Sequence, residues 1–232
     1  MDRNRGHRSG PGSAGKIEAV IFDLDGVLVQ TEHLGWEAWR DFLNPLGHNF
    51  SFDQYRMVIG SGETAPAMRE LFGLDIPTAE LITDHRRRLI SLLETGLVIT
   101  PGAIETVTEV LARGRLAAVA TNSWREYTRR ILELSNLGDL LNIVVSAEDV
   151  ASPKPAPDVY LAAASRLELP PSRCLAVEDS PPGQTAALLA RMPCVIIPNT
   201  HLLTADFSPG SPRLPSLLAF RDALESLLEG VD

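Results

Sequence analysis

Two cysteines in 232 residues leave no basis for a disulfide-stapled fold. Cys174 and Cys194 each open a β-branched or apolar run, where a reduced thiol serves as a small buried hydrophobe. Long apolar runs are missing as well. The longest, such as residues 19–22 and 194–197, fall far short of the ~18 to 20 residues that a membrane span requires. Basic residues are too few to neutralise a nucleic-acid backbone: 21 stand against 30 acidic ones, a formal net charge of -9, with no concentrated basic face. No apolar stretch follows the basic, Gly- and Ser-containing residues 1–16, so they read as a flexible tail and not a secretory signal. What remains is an ordinary globular composition, 44% hydrophobic and 22% charged, long enough for about one and a half domains at roughly 150 residues each.

From residue 17 onward, short strand-like runs alternate with helical stretches, the pattern of a doubly wound parallel sheet in an α/β fold. Strands are expected at 19–23, 116–121, 143–146, 175–178 and 195–197, with helices near 104–113, 124–134, 158–167 and 184–191 and a terminal helix at 217–228. More than ninety residues separate the first two strands, far beyond a crossover helix of ~10 to 15 residues. Apolar residues at helical spacing there (Leu34, Ala38, Phe42; Leu81, Leu89, Leu92, Leu93) predict a small α-helical insert. The expected division is a tail at 1–16, an α/β core at 17–31 and 100–232, and a helical cap at 32–99.

Four polar clusters fall at or near strand ends, where open α/β sheets seat their ligands. Asp23 and Asp25 alternate as the chain leaves the first strand, so both carboxylates can face one point; a plain Asp-Gly turn would use the same residues. Thr121-Asn122-Ser123 stands before a helix, suited to phosphate or simply to capping. Lys154 sits among three prolines that stiffen its loop, although a lysine is ordinarily solvated. Glu178-Asp179 precedes Ser180-Pro181, and capping explains the last two residues without requiring the acids.

Taken together, the clusters can share one crevice, and charge then selects its occupant. Asp23, Asp25, Glu178 and Asp179 carry -4 and Lys154 brings this to -3, which a buried site does not tolerate. A divalent cation lowers it to -1, and oxygen-only ligands favour Mg²⁺ over zinc.

The series DLDG, a strand-end Thr, KPAPD and EDS with a glycine three residues on resembles the four motifs of the haloacid dehalogenase superfamily. The likeness runs from about residue 17 to 198 and is nearest to the β-phosphoglucomutase-like and phosphoglycolate-phosphatase-like branch, which carries a helical cap. The resemblance implies that Asp23 is a nucleophile forming an aspartyl-phosphate and that Asp25 is the general acid and base. It also implies that Leu24, Thr121, Asn122, Ser123 and Lys154 hold the phosphoryl group. Mg²⁺ would be bound by Asp23, Asp25 through its carbonyl oxygen, Glu178 and Asp179. The implied activity is phosphomonoester hydrolysis of a small phosphorylated metabolite by a cytoplasmic monomer or weak dimer, without nucleic-acid or membrane partners.

Departures from the family pattern bear on subtype. Gly35 stands where mutases and many sugar phosphatases carry a histidine, and Gly62-Glu63 where mutases bind a second phosphate with Arg. A phosphosugar mutase is therefore the less favoured alternative. A phosphonate hydrolase would want a cap lysine, which residues 33–100 lack. A non-catalytic receiver-like phosphate-binding module also combines acids, Thr and Lys, but it has no such insert. Gln30 in place of an acid and Arg191 in place of a glycine have no account in the sequence. Gly60-Ser61-Gly62 is a candidate substrate-contact loop or a plain turn, and His33, Trp36 and Trp39 are expected to be packing residues.

Overall fold

The computed structural model describes residues 16–58, 64–199 and 206–229. Gly60-Ser61-Gly62, Glu63 and residues 1–15 lie outside them. In chain order the elements are β1 (Ala19–Phe22), β2 (Val29–Gln30), α1 (Glu32–Leu43), α2 (Phe52–Val58), α3 (Thr64–Leu71), α4 (Thr78–Gly96), β3 (Val98–Ile99) and α5 (Ala103–Ala112). They continue with β4 (Leu116–Ala120), α6 (Arg125–Leu134), β5 (Ile143–Val145), α7 (Asp158–Arg166), β6 (Cys174–Glu178), α8 (Pro181–Leu189), β7 (Cys194–Ile196), α9 (Leu217–Asp222) and α10 (Leu224–Leu228).

Five strands form a parallel sheet in the order β5-β4-β1-β6-β7. β1 is central, with neighbours on both edges and helices on both faces, so the uniformly apolar run Ala-Val-Ile-Phe is fully buried. Its side chains alternate between two cores. Val20 and Phe22 join Val119, Leu175, Val177 and the helices α5 and α9. Ala19 and Ile21 face an alanine-rich layer of Ala118, Ala120, Ala163, Ala176, Ala186 and Ala187, whose small side chains let α7 and α8 approach the sheet closely. The chain leaves β1 for β4 on one side and returns through β6 on the other. This order reversal opens a crevice at the carboxyl end of β1.

Helices α1 to α4 enclose their own cluster of Trp39, Leu43, Phe50, Tyr55, Met68 and Leu81. The two chain segments leading in and out pair as an antiparallel ribbon, Val29 with Ile99 and Gln30 with Val98. Two residues per strand are too few to show in a hydrophobic pattern. The amide of Gln30 donates to Thr100 Oγ1 at 3.0 Å, which ties this joint and accounts for the residue.

Arg191 adopts φ 59°, the left-handed region where an L side chain is strained, and this explains why a glycine suits the position. The expected single terminal helix is two. At Ala223 the N–H is shared among earlier carbonyls, including Ala219 and Phe220, which tightens the turn and re-aims the axis before α10. Strand and helix ends otherwise differ from the sequence reading by one to three residues. β1 and β4, for example, stop at Phe22 and Ala120, leaving Asp23 and Thr121 just beyond the ladder. No described helix is long and apolar enough to cross a membrane.

His85 on α4 stacks on Trp39 with ring centroids 4.5 Å apart, and one ring nitrogen lies 3.3 Å from the Gly35 carbonyl. Burial lowers its pKa to about 4, with Arg86 adding to the shift while the Gly35 carbonyl and Asp84 oppose it. Between pH 6.5 and 4 the unfolded chain therefore binds a proton that the folded chain does not, and stability falls as pH drops through that window. The expected loss from this group is roughly 2 kcal/mol. Urea denaturation at pH 7.5 and pH 4.5 should show it, and His85→Leu should lose less over the same interval. An equal loss in the variant would assign the acid sensitivity to other groups.

Candidate active site

The crevice at the end of β1 gathers residues from five segments of chain. Asp23 follows β1 directly, its N–H bonded to the Val177 carbonyl at 2.9 Å, which fixes it at the tip of the central strand. Lys154 arrives from the proline-stiffened loop before α7, and Asn122 holds that loop: its side chain accepts from the Lys154 N–H at 2.8 Å and donates to the Lys154 carbonyl at 3.0 Å. The ammonium group lies 2.5 Å from Asp23 Oδ1, 2.6 Å from Glu178 Oε1 and 2.8 Å from the Ala120 carbonyl, over the face of Tyr160. It is buried, not solvated. Burial alone would lower the proton affinity of Lys154, but the Asp23 and Glu178 carboxylates outweigh it and the net shift is upward.

Glu178 is fully buried and accepts hydrogen bonds on both oxygens. Tyr160 donates to Oε1 at 2.7 Å, and the Ser180 hydroxyl and the Asp179 N–H donate to Oε2 at 3.1 and 3.2 Å. Ser180 also caps α8, accepting from the Gly183 N–H at 3.1 Å. Capping and site-building are here one arrangement. A Cβ at Gly183 would overlap the Glu178 carboxylate, and one at Gly26 (φ 86°) would overlap that of Asp179, so both glycines are required by close approach.

Carboxylate oxygens of Asp23, Glu178 and Asp179 lie within 4.8 Å of one another, and all three residues are buried. Burial, followed by the mutual repulsion of these acids, raises Asp179 well above the ordinary carboxylate range. Asp23 is raised to about 7, by burial first, with Lys154 opposing and Glu178 adding to the shift. Three carboxylates and one ammonium leave -2, a charge that one divalent cation balances. An all-oxygen set of hard ligands fits such an ion.

Asp25 departs from the four-acid cluster expected from the sequence. Its carboxylate lies outside the trio, held by three hydroxyls: Thr31 Oγ1 at 2.5 Å and Tyr127 Oη at 2.8 Å on one oxygen, and Ser123 Oγ at 2.7 Å on the other. Polar donors absorb its charge, so it need not join the trio. Thr121 is buried at the end of β4, where its Oγ1 accepts from the Ser123 N–H at 3.0 Å. Leu24 is buried between Asp23 and Asp25, its carbonyl accepting from the N–H groups of Leu28 and Val29. Asn199 lies beyond β7, 3.4 Å from Asp179 Oδ2 and bonded to Glu32 at the start of α1. Burial raises the pKa of Glu32, with the Asp25 charge adding to it.

The sequence reading singled out none of Thr31, Tyr127, Tyr160, Glu32 and Asn199. Asn199 carried a usable signal, since it too follows a strand end. The tyrosines did not, because a tyrosine on an amphipathic helix reads as packing. Among the expected packing residues, Trp39 is buried, Trp36 donates to the Phe50 carbonyl at 3.0 Å, and His33 pairs with Glu37 at the surface.

The family model described as haloacid dehalogenase-like hydrolase matches residues 20–197, and the chain belongs to this family. It is 32% identical to protein CbbY of Rhodobacter capsulatus over 216 residues, covering 88% of this chain and 95% of that one. It is 31% identical to hexitol phosphatase B of Escherichia coli K12, over 79% of this chain and 84% of that one. CbbY from Rhodobacter sphaeroides, solved in complex with phosphate, superposes with a TM-score of 0.79 at 25% identity, covering 88% of this chain and 96% of that one.

Proposed function

We propose that this protein hydrolyses the phosphate monoester of a small metabolite by way of a phosphorylated Asp23, with Mg²⁺ held by Asp23, Glu178 and Asp179. The chain is a phosphomonoester hydrolase of its family, as its likeness to hexitol phosphatase B and CbbY supports. The finer reading rests on one observation above all, the convergence of three buried carboxylates and one ammonium group on the tip of β1.

Asp23 would attack phosphorus through one carboxylate oxygen while the ester oxygen departs. Asp25 would supply the proton to the leaving oxygen and later take one from the attacking water. To do so it must release a hydroxyl, and Thr31, the residue before α1, is the one that a movement of the helical insert would carry away. Lys154 and the backbone and hydroxyl donors of Leu24, Thr121, Asn122 and Ser123 would stabilise charge on the transferring group. When bound, Mg²⁺ would neutralise the carboxylates and polarise a phosphoryl oxygen.

Residues 32–99 would act as a cap that excludes water during transfer. Their contacts with the core near α6 are exposed: Arg86 over Trp124 at 4.7 Å, and Arg130 paired with Glu94. Such pairs are weak, which suits a lid that reopens each cycle.

Phosphate release should be followed over sugar and polyol phosphates, phosphoglycolate, nucleotides and p-nitrophenyl phosphate. With Mg²⁺ at least one class should turn over, and EDTA should lower the rate by about 10³-fold or more. No release across the panel, or release indifferent to EDTA, would remove the proposal.

A further inference from the structure

A proton donor to the leaving group must hold its carboxyl in one orientation, and Asp25 is held by the hydroxyls of Thr31, Ser123 and Tyr127. Two of the three have other tasks in the proposed reaction. Thr31 stands just before α1, where a movement of the insert would carry it away, and Ser123 would turn to the transferring phosphoryl group. Tyr127 has neither duty. Its Oη donates to Asp25 Oδ1 at 2.8 Å, and its place on α6 roots it in the core and not in the insert.

The phenol is itself fixed from several sides. Tyr127 is 3% exposed and belongs to the apolar cluster that contains Leu24, Ile131 and Leu132. Trp124 stacks on its ring, with centroids 4.6 Å apart and planes 30° from parallel, and Arg86 of α4 lies over the Trp124 ring at 4.7 Å. Ser123 and Tyr127 are four residues apart, about one helical turn, so the start of α6 supplies a donor to each oxygen of Asp25. Packing alone would be served equally by phenylalanine. What the tyrosine adds is a hydrogen bond that stays on Oδ1 when the other two donors leave. We propose that Tyr127 is a positioning residue whose hydroxyl keeps the Asp25 carboxyl aimed at the leaving oxygen during phosphoryl transfer. The electron pair of the breaking P–O bond stays on the ester oxygen, which takes its proton from Asp25, while the phenol keeps its own. This assignment rests on the hydrolase reading.

The test uses the leaving group. An alkyl alcohol needs a proton to depart, whereas p-nitrophenolate leaves as a stable anion, so a comparison of the two esters isolates what Asp25 contributes. The quantity to compare is kcat/KM, which covers the steps through departure and not the later attack of water. Wild type, Tyr127→Phe, Asp25→Asn and the double variant are assayed with Mg²⁺ on p-nitrophenyl phosphate and on the sugar or polyol monophosphate that wild type turns over fastest. The ratio of kcat/KM values, alkyl over aryl, should fall about 10-fold in Tyr127→Phe and about 10²-fold or more in Asp25→Asn. The double variant should match Asp25→Asn alone, because the hydroxyl acts only through that carboxyl. Tyr127→Phe keeps the stacked ring and should stay folded by circular dichroism. A loss of fold, equal losses on both esters or an unchanged ratio would each make Tyr127 a structural residue and overturn the assignment. A double variant that falls further than Asp25→Asn, or a wild type active on the aryl ester alone, would overturn it as well. A wild type inactive on every ester would overturn the hydrolase reading and the assignment with it.

Discussion

Replacing Asp23 with Asn should reduce turnover by about 10⁴-fold or more while the protein stays folded. The amide keeps the shape and the bond to Lys154 but has no nucleophilic oxyanion. The effect on stability has a definite sign. Burial holds the Asp23 pKa up to about 7 without metal, so this group stabilises the fold below its unfolded value of 3.8 and loses that contribution as pH rises through 7. Above pH 7 in EDTA, the Asn variant should therefore melt no lower than wild type. Adding Mg²⁺ should reverse the order, since the variant has lost a ligand. Circular dichroism melts with and without metal, run beside a phosphate-release assay, check both parts. Residual hydrolysis within tenfold of wild type would show that Asp23 is not the nucleophile.

Lys154→Met should damage activity and stability together. Methionine has nearly the same length, but Asp23 and Glu178 would lose the ammonium that bridges them at 2.5 and 2.6 Å. Breaking a buried pair from one side leaves uncompensated charge and costs about 3 to 5 kcal/mol. In a chain of 232 residues this corresponds to a fall in Tm on the order of 10 °C. Turnover should fall by about 10³-fold, since the charge on the transferring group would also go unmet. Urea denaturation in EDTA isolates the structural part. A variant within about 0.5 kcal/mol of wild type would mean that Lys154 is not the counter-ion of the buried acids.

The two variants also separate what was legible in the chain from what was not. The apolar runs and their spacing placed the five core strands to within about two residues, because a strand buried on both faces must be continuously apolar. Asp23, Thr121, Lys154, Glu178 and Asp179 stood out because together they fall at or near the ends of several strands, where open α/β sheets seat their ligands. Proline content around Lys154 marked a stiff loop, but only the fold shows Asn122 clamping it. The ribbon of β2 and β3 left no trace, since two residues carry no period. The separation of Asp25 from the other acids was equally hidden, because alternation along a strand says nothing of hydroxyls arriving from α6 and from Thr31.

The order of residues by itself determined the sheet, the helical insert and which acidic and basic groups lie at the strand ends, since burial and backbone geometry act locally along the chain. Only the tertiary structure decided how those charges are shared: Lys154 between Asp23 and Glu178, and Asp25 given over to three hydroxyls. Those pairings join residues up to 131 positions apart, and side-chain electrostatics in a buried site depends on distances of a few ångströms that no local pattern encodes.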